Sequence, residues 1–420
     1  MSKSKHNLIA SLDVGSSVIR MAVGQIDQGE ETGQGGGIQV LGAAEISSAG
    51  VVKGEISSIE DVVSSISTCL ERVERMVGVP IDNVWVGISG SHIISQTNKG
   101  VVSVSKADNE ITEEDINRAL EATRAVAAPL NYEILHVLPK TFSVDDQTGI
   151  KDPVGMTGMR LEVDAQIILA SSSQVKNLTK VVYRAGLEVE DVVLSIIAAS
   201  EIVVTQRQKE LGVVVVDLGG STTNLAVYEE GGVIHTAVIP IGSDHITNDV
   251  AIGLKTTIDI AERAKIEYGD CRFEKISKAD KIDLSNLGAQ EKEIVERKYL
   301  SAIIEARIEE ILYKVDDELK SINRSGLLPA GVVFVGGGAK LSGLAEAAKK
   351  YLRLPAILGY PLDVYSVTEK VNDLGFTNVL GLLKWGSLMN THVSKGFSIG
   401  SGKITGATKQ LKKWIKVLIP

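Results

Sequence analysis

The chain has 420 residues, 44% apolar and 23% charged, which is enough for two or more compact cores and excludes a disordered, collagen-like or mucin-like chain. A formal net charge of −9 excludes a general nucleic-acid binder, whose surface must neutralise phosphate. Two cysteines, Cys69 and Cys271, are too few for a disulfide scaffold and point to a reducing compartment.

Residues 8–12 read as a buried strand. As an apolar stretch they are too short for a signal-peptide core, and no run of about 18 apolar residues follows anywhere, so the chain is expected in the cytoplasm without a membrane span. The strand ends in the turn Asp13-Val14-Gly15-Ser16-Ser17. Further on, residues 84–88 and 101–104 are strand-like, and Thr112 has the position of a helix cap, with Glu113, Glu114 and Asp115 stabilised by the helix dipole.

Residues 213–216 form a second buried strand, followed by Asp217-Leu218-Gly219-Gly220-Ser221-Thr222. Five identities, Asp13/Asp217, Gly15/Gly219, Ser17/Ser221, Ala22/Ala226 and Val23/Val227, share one offset of 204. Two similar halves are therefore expected, each opening with a strand–turn–strand hairpin. Glycine lets such a turn approach a ligand, and its successive N–H groups make an anion-binding concavity. Serine and threonine hydroxyls add donors, and an Asp at the strand end suits a hydrated Mg²⁺. Each turn alone also reads as an ordinary hairpin; two facing turns would clamp a polyphosphate.

After Pro240, helical periodicity runs from about residue 250 to 265 and places Glu262 and Lys265 on one face, either near a ribose or as a solvated ion pair. Apolar residues at 304, 308, 311, 312 and 315 predict a helix within residues 294–319. Residues 332–335 then form a strand entering Gly336-Gly337-Gly338-Ala339, and helical character returns at 344–352. A glycine run there lets a flat base or sugar lie against bare backbone, and it also reads as a plain strand-to-helix loop.

Residues 394–405 are Gly/Ser-rich and read as a tether. In residues 407–420, drawn as a helix, Lys409, Lys412, Lys413 and Lys416 cluster within an arc of roughly 100°. Leu411, Trp414, Ile415, Val417, Leu418 and Ile419 take the other side. Such a helix lies flat in a membrane interface, its lysines attracted to anionic lipid and its tryptophan at headgroup level.

The order of two hairpin turns and a glycine loop resembles the actin/Hsp70/sugar-kinase superfamily. Residues 136–139, 149–162, 241–254 and 261–269 narrow the resemblance to the bacterial cell-division family FtsA, over about residues 8–390 together with the C-terminal tip. The resemblance implies an α/β, two-lobed actin-like fold with duplicated ribonuclease H-like halves, an inserted small α/β subdomain and a C-terminal amphipathic helix. The expected boundaries are 1–205 for the first domain, with the insertion at about 83–165, and 206–390 for the second. Within the second, about 265–325 would receive the C-terminal peptide of the tubulin-like ring protein FtsZ. Residues 391–406 would be the linker and 407–420 the membrane helix.

By the same resemblance, Asp13, Gly15, Ser16 and Ser17, with Asp217, Gly219, Gly220, Ser221 and Thr222, hold the phosphates of ATP. Asp13 and Asp217 face Mg²⁺ through water. Glu262, Lys265, Gly336, Gly337, Gly338 and Ala339 face the adenosine, and Arg307 and Glu310 contact FtsZ. The membrane contacts are Lys409, Leu411, Lys412, Lys413, Trp414, Ile415, Lys416, Leu418 and Ile419. The sequence departs from the family's habit at Val18 (often Lys), Ser221 (Gly), Asn224 (Asp) and Gln166 (His). Arg20 is the basic residue nearest the missing lysine. No residue presents itself as a base that orients water, so at most slow ATP hydrolysis is expected. The implied protein polymerises on the inner membrane face, tethers FtsZ filaments at the septum and recruits later division proteins through the insertion. The alternatives are an actin-like scaffold for pilus assembly, against which the terminal helix argues, and a superfamily kinase or phosphatase, which lacks a catalytic carboxylate beside an acceptor pocket.

Overall fold

The computed structural model describes residues 8–26, 37–105, 108–125, 128–366 and 372–394. The Lys409–Ile419 membrane positions of the sequence reading lie outside these residues.

Two sheets repeat one plan. In the first, the strand Leu8–Val14 is central. It pairs antiparallel with Val18–Ile26, which pairs antiparallel with Ile38–Ser47, and parallel with Asn83–Ile88, which pairs parallel with Glu188–Leu194. In the second, Val213–Leu218 is central. Thr223–Glu229 and Gly232–Ile239 lie on its antiparallel side, Gly331–Val335 and Ala356–Leu358 on its parallel side. The register carries the duplication. Asp13 opposes Arg20 and Asp217 opposes Asn224, both members of the second pair shifted by the same 204 positions found in the sequence.

The second central strand is valine-rich and buried on both faces, as a parallel-sheet strand must be. Its side chains alternate with the pleat. Val213 and Val215 join the core shared with the first lobe, while Val214, Val216 and Leu218 enter the second lobe's own core.

The insertion is a separate layer with its own core. Strands Ile93–Ser103, Arg160–Ser171, Tyr132–Val144 and Gln147–Ile150 form a four-stranded antiparallel sheet, and the helix Glu113–Thr123 packs on it through Ile116, Ala119 and Leu120. Thr112 occupies the N-cap, and the Asp115 carboxylate accepts its backbone N–H at 2.9 Å.

Three boundaries differ from the sequence reading. Strand Asn83–Ile88 belongs to the first sheet, so the insertion's sheet begins past it, at Ile93. The segment before residue 390 does not all stay in the second lobe. Val364–Ser366 pairs with Ile38–Val40 at the edge of the first sheet, and the helix Thr377–Ser394 buries Val379, Leu382, Leu383 and Trp385 in the first lobe's core. That helix also reaches Ser394, into the span assigned to the linker. The periodic stretch at 250–265 is two helices, Ser243–Leu254 and Ile258–Tyr268. Lys255 breaks them with a left-handed φ of 54°, and the Thr257 hydroxyl accepts the N–H of Ile260.

His136 ties the insertion to the first lobe. It is fully buried, and its Nε2 accepts the N–H of Leu194 at 2.9 Å. Burial holds its pKa well below the usual imidazole value. Folding therefore favours the neutral ring. The associated stability is present above the unfolded pKa near 6.5 and is lost as pH falls below it, at up to about 1.4 kcal/mol per pH unit. Melting temperature is expected to fall between pH 7.5 and 5.5, and His136→Gln to flatten that dependence; an unchanged slope in the variant would contradict the assignment.

Candidate nucleotide cleft

Both hairpin turns and the glycine loop open into one cavity of about 570 Å³, a volume suited to a small ligand. Asp13, Gly15, Ser16 and Ser17 line it from the first lobe. Asp217, Gly219, Gly220, Ser221 and Thr222, with Glu262, Lys265, Gly336, Gly337 and Gly338, line it from the second. Ala339 is the exception: it is fully buried beneath the loop in the second core.

The geometry of the glycine loop follows from its backbone. Gly336 has φ 88°, and a Cβ there would lie 2.1 Å from Asp217 Oδ1. Only glycine allows this left-handed bend against the carboxylate. Gly337 is the reverse: a Cβ there meets no protein atom within 4 Å and would point into open cavity.

Glu262 and Lys265 are not a solvated pair. Lys265 is buried, with Nζ 2.6 Å from Glu262 Oε2 and donating to Thr247 Oγ1 at 2.8 Å. The Thr247 hydroxyl donates in turn to Glu262. The pair is thus fixed on the cavity wall by the preceding helix.

Asp13 and Asp217 form the floor, 8% and 3% exposed. Burial raises the pKa of Asp13. Burial, and then the charge of Asp13, push Asp217 up to about 6. The Asn378 amide bridges them, donating to Asp217 Oδ2 at 3.0 Å and Asp13 Oδ2 at 3.4 Å, and the Asn224 amide also donates to Asp217 Oδ2 at 3.3 Å. The amide oxygens of Asn224 and Asn378 are buried without a hydrogen-bond partner. Two buried carboxylates with raised pKa are hard oxygen donors lacking a compensating charge in contact, and this fits a cation. Two protein carboxylates suit an ion that keeps most of its water.

The departures noted in the sequence sort themselves here. Val18, Ser221 and Asn224 all line the cavity. Arg20 lines it too, with Nε 3.1 Å from Glu45, its guanidinium over the Phe376 ring, and its charge lowering the pKa of Asp13. It restores positive charge near the floor from a different strand position. Gln166 does not line the cavity; it is buried in the insertion, where its Oε1 accepts the Thr97 hydroxyl at 2.9 Å.

Sequence reasoning missed Asn378, Lys340, Arg297 and Ser342, which also line the cavity. Lys340, at the end of the glycine loop, pairs with Asp373 at 2.5 Å, linking the second lobe to the segment that returns to the first. Asp244, within residues 241–254, also lines the cavity, between the two turns.

Arg307 lies on the helix Arg297–Ser321, whose Ile304, Ile308, Ile311, Leu312 and Val315 are buried as the periodicity requires. Its guanidinium is engaged within the chain. Nε and Nη2 donate to the Asp249 carboxylate at 2.5 and 2.9 Å, and Nη1 donates to Glu310. The cluster carries two acids for one base, so Arg307 is already paired within the chain.

Comparison with known proteins follows the same lines as the fold. A family model described as cell division protein FtsA matches residues 214–381, and the SHS2 domain inserted in FtsA matches residues 90–169. The cell division protein FtsA of Pseudomonas aeruginosa is 34% identical over 416 residues, covering 97% of each chain. That of Bacillus subtilis is 36% identical over 350 residues, 83% of this chain and 78% of its own. That of Escherichia coli K12 is 29% identical over 420 residues, again 97% of each. Among solved structures, the PilM–PilN type IV pilus biogenesis complex aligns with a TM-score of 0.66 at 15% identity, covering 90% of this chain and 98% of that one. MreB5 of Spiroplasma citri bound to ADP aligns at 0.54 with 12% identity, covering 93% and 99%. At these identities the structural likeness shows the actin-like fold alone, whereas the sequence relatives decide the family: the chain belongs to the cell division protein FtsA family.

Proposed function

We propose that this protein binds Mg·ATP in the inter-lobe cavity, polymerises on the inner face of the cytoplasmic membrane and tethers FtsZ filaments there during division. The observation that carries the reading is the convergence of two duplicated turns and a glycine loop on one cavity floored by two buried carboxylates. The phosphates would lie between residues 15–17 and 219–222, with Asp13 and Asp217 facing the hydrated cation. The adenosine would lie over Gly336–Gly338, beside Glu262 and Lys265. When bound, the cation neutralises the phosphates and the floor together; the chain's own turns orient the phosphates through N–H and hydroxyl donors. Nucleotide favours the closed pair of lobes and so shifts the population toward polymer-competent protein. Hydrolysis is slow in this reading.

Residues 407–420 would form the amphipathic anchor, beyond the linker that follows the Thr377–Ser394 helix. The insertion would meet neighbouring subunits and later division proteins. The FtsZ peptide would dock near Arg307 and Glu310, where Ile252 and Tyr299 are exposed. An acidic peptide must then compete with Asp249 for Arg307. A pilus scaffold is the second reading; the PilM–PilN likeness extends to the fold alone, and the identities of 29–36% to division proteins weigh against it.

The test is binding of a fluorescent FtsZ C-terminal peptide. The wild type is expected to bind it, and Arg307→Glu to lose at least tenfold in affinity. That variant sets a third carboxylate against Asp249 and Glu310, so about 1–2 kcal/mol of destabilisation is also expected, and its melting curve is read alongside. Equal peptide affinity in the folded variant would remove this contact.

A further inference from the structure

Asp244 stands in the first turn of the Ser243–Leu254 helix, a position that favours a negative charge. Its backbone is pinned to the second turn: Ser243 N–H donates to Gly219 O at 2.9 Å and Asp244 N–H to Gly220 O at 2.8 Å. Its carboxylate reaches both turns. Oδ2 accepts the Ser17 hydroxyl of the first lobe at 2.8 Å and lies 3.4 Å from the Ser221 hydroxyl of the second, which also donates to it. The lobes touch here, since a Cβ on Gly220 would lie 1.8 Å from Ser17 Oγ.

Ser17 and Ser221 are two of the hydroxyls that the nucleotide reading assigns to phosphate. In this structure one carboxylate oxygen holds both. We propose that Asp244 is a built-in competitor for the phosphate group of a nucleoside di- or triphosphate. The carboxylate latches the two turns together by the same hydroxyls, and a phosphate must displace it and then sit beside its charge. Binding is thereby an exchange of one anion for another, which lowers affinity and eases release. Because the helix backbone is fixed to the second turn, the displacement is a side-chain rotation and leaves the turn in place. The inference rests on the nucleotide reading of the cavity.

The test is titration of the wild type, Asp244→Asn and Asp244→Ser with fluorescent Mg·ADP and Mg·ATP, together with solution scattering of each protein without nucleotide. Both substitutions remove the charge; Ser also removes the reach across the cleft. Relief of like-charge repulsion at a partly screened site is expected to tighten nucleotide binding about tenfold in both variants. The Ser variant is expected to show a larger radius of gyration than the wild type. If the wild type binds no nucleotide, the reading of the cavity fails. If the wild type binds and the folded variants bind equally or more weakly, the competitor role is overturned while the cavity reading stands. Melting curves identify which variants are folded, and either one suffices.

Discussion

Gly337→Val abolishes nucleotide binding, with an affinity loss of at least a hundredfold, while the protein stays folded. The expectation rests on the contrast within the glycine loop. A side chain at Gly336 would strike Asp217 and the Leu218 backbone, and one at Gly338 would strike the Leu218 side chain at 2.5 Å. Either substitution would disturb the fold as well as the site. At Gly337 the added Cβ meets no protein atom within 4 Å, so the branch starts in open space and little overpacking strain is expected. They fill the space where a flat base or sugar would lie against the backbone, and a branched side chain there leaves no room for it. A fluorescent nucleotide titration beside a melting curve checks both halves of the expectation. Unchanged affinity in a folded variant would move the adenosine off this loop.

Trp414→Glu abolishes sedimentation with anionic liposomes and leaves nucleotide binding intact. Were residues 407–420 to form the proposed helix, the 100° spacing would put Trp414 opposite Lys409, Lys412, Lys413 and Lys416, on the side of Leu411 and Leu418. Withdrawing a large apolar side chain from the interface costs about 1.5–3 kcal/mol. The new carboxylate is also repelled by the leaflet that attracts each lysine with on the order of 1 kcal/mol. Together these would reduce partitioning roughly a hundredfold for a single chain. A polymer of the proposed kind would engage many such helices at once, so the loss would multiply. Sedimentation equal to wild type would refute the anchor.

The parts of this fold that were legible in the sequence were local. The two turns could be read because the hairpins are duplicated, and strand pairing preserves the sequence offset through Asp13–Arg20 and Asp217–Asn224. The glycine loop was legible because Gly336 is forced into a left-handed bend. Asn378 was not legible: it reaches Asp217 from 161 residues away, and an asparagine on an apolar helix carries no pattern of its own. The return of residues 364–394 to the first lobe escaped for a similar reason, since a short edge strand and a helix buried around much of its circumference do not announce which core they fill. The resemblance sets the start of the insertion only to within a strand, and Asn83–Ile88, buried at all but its first residue, lacks the alternation that would tie it to one sheet. The pairing of Arg307 with Asp249 is not legible either, because the two lie 58 positions apart and become neighbours only when two helices pack.

A crystal structure of this chain with Mg²⁺ and a non-hydrolysable ATP analogue is the most direct measurement. The account predicts phosphate density between residues 15–17 and 219–222, a hydrated ion above Asp13 and Asp217, and the base over Gly337. Analogue bound elsewhere, with both turns out of contact with phosphate, would contradict it.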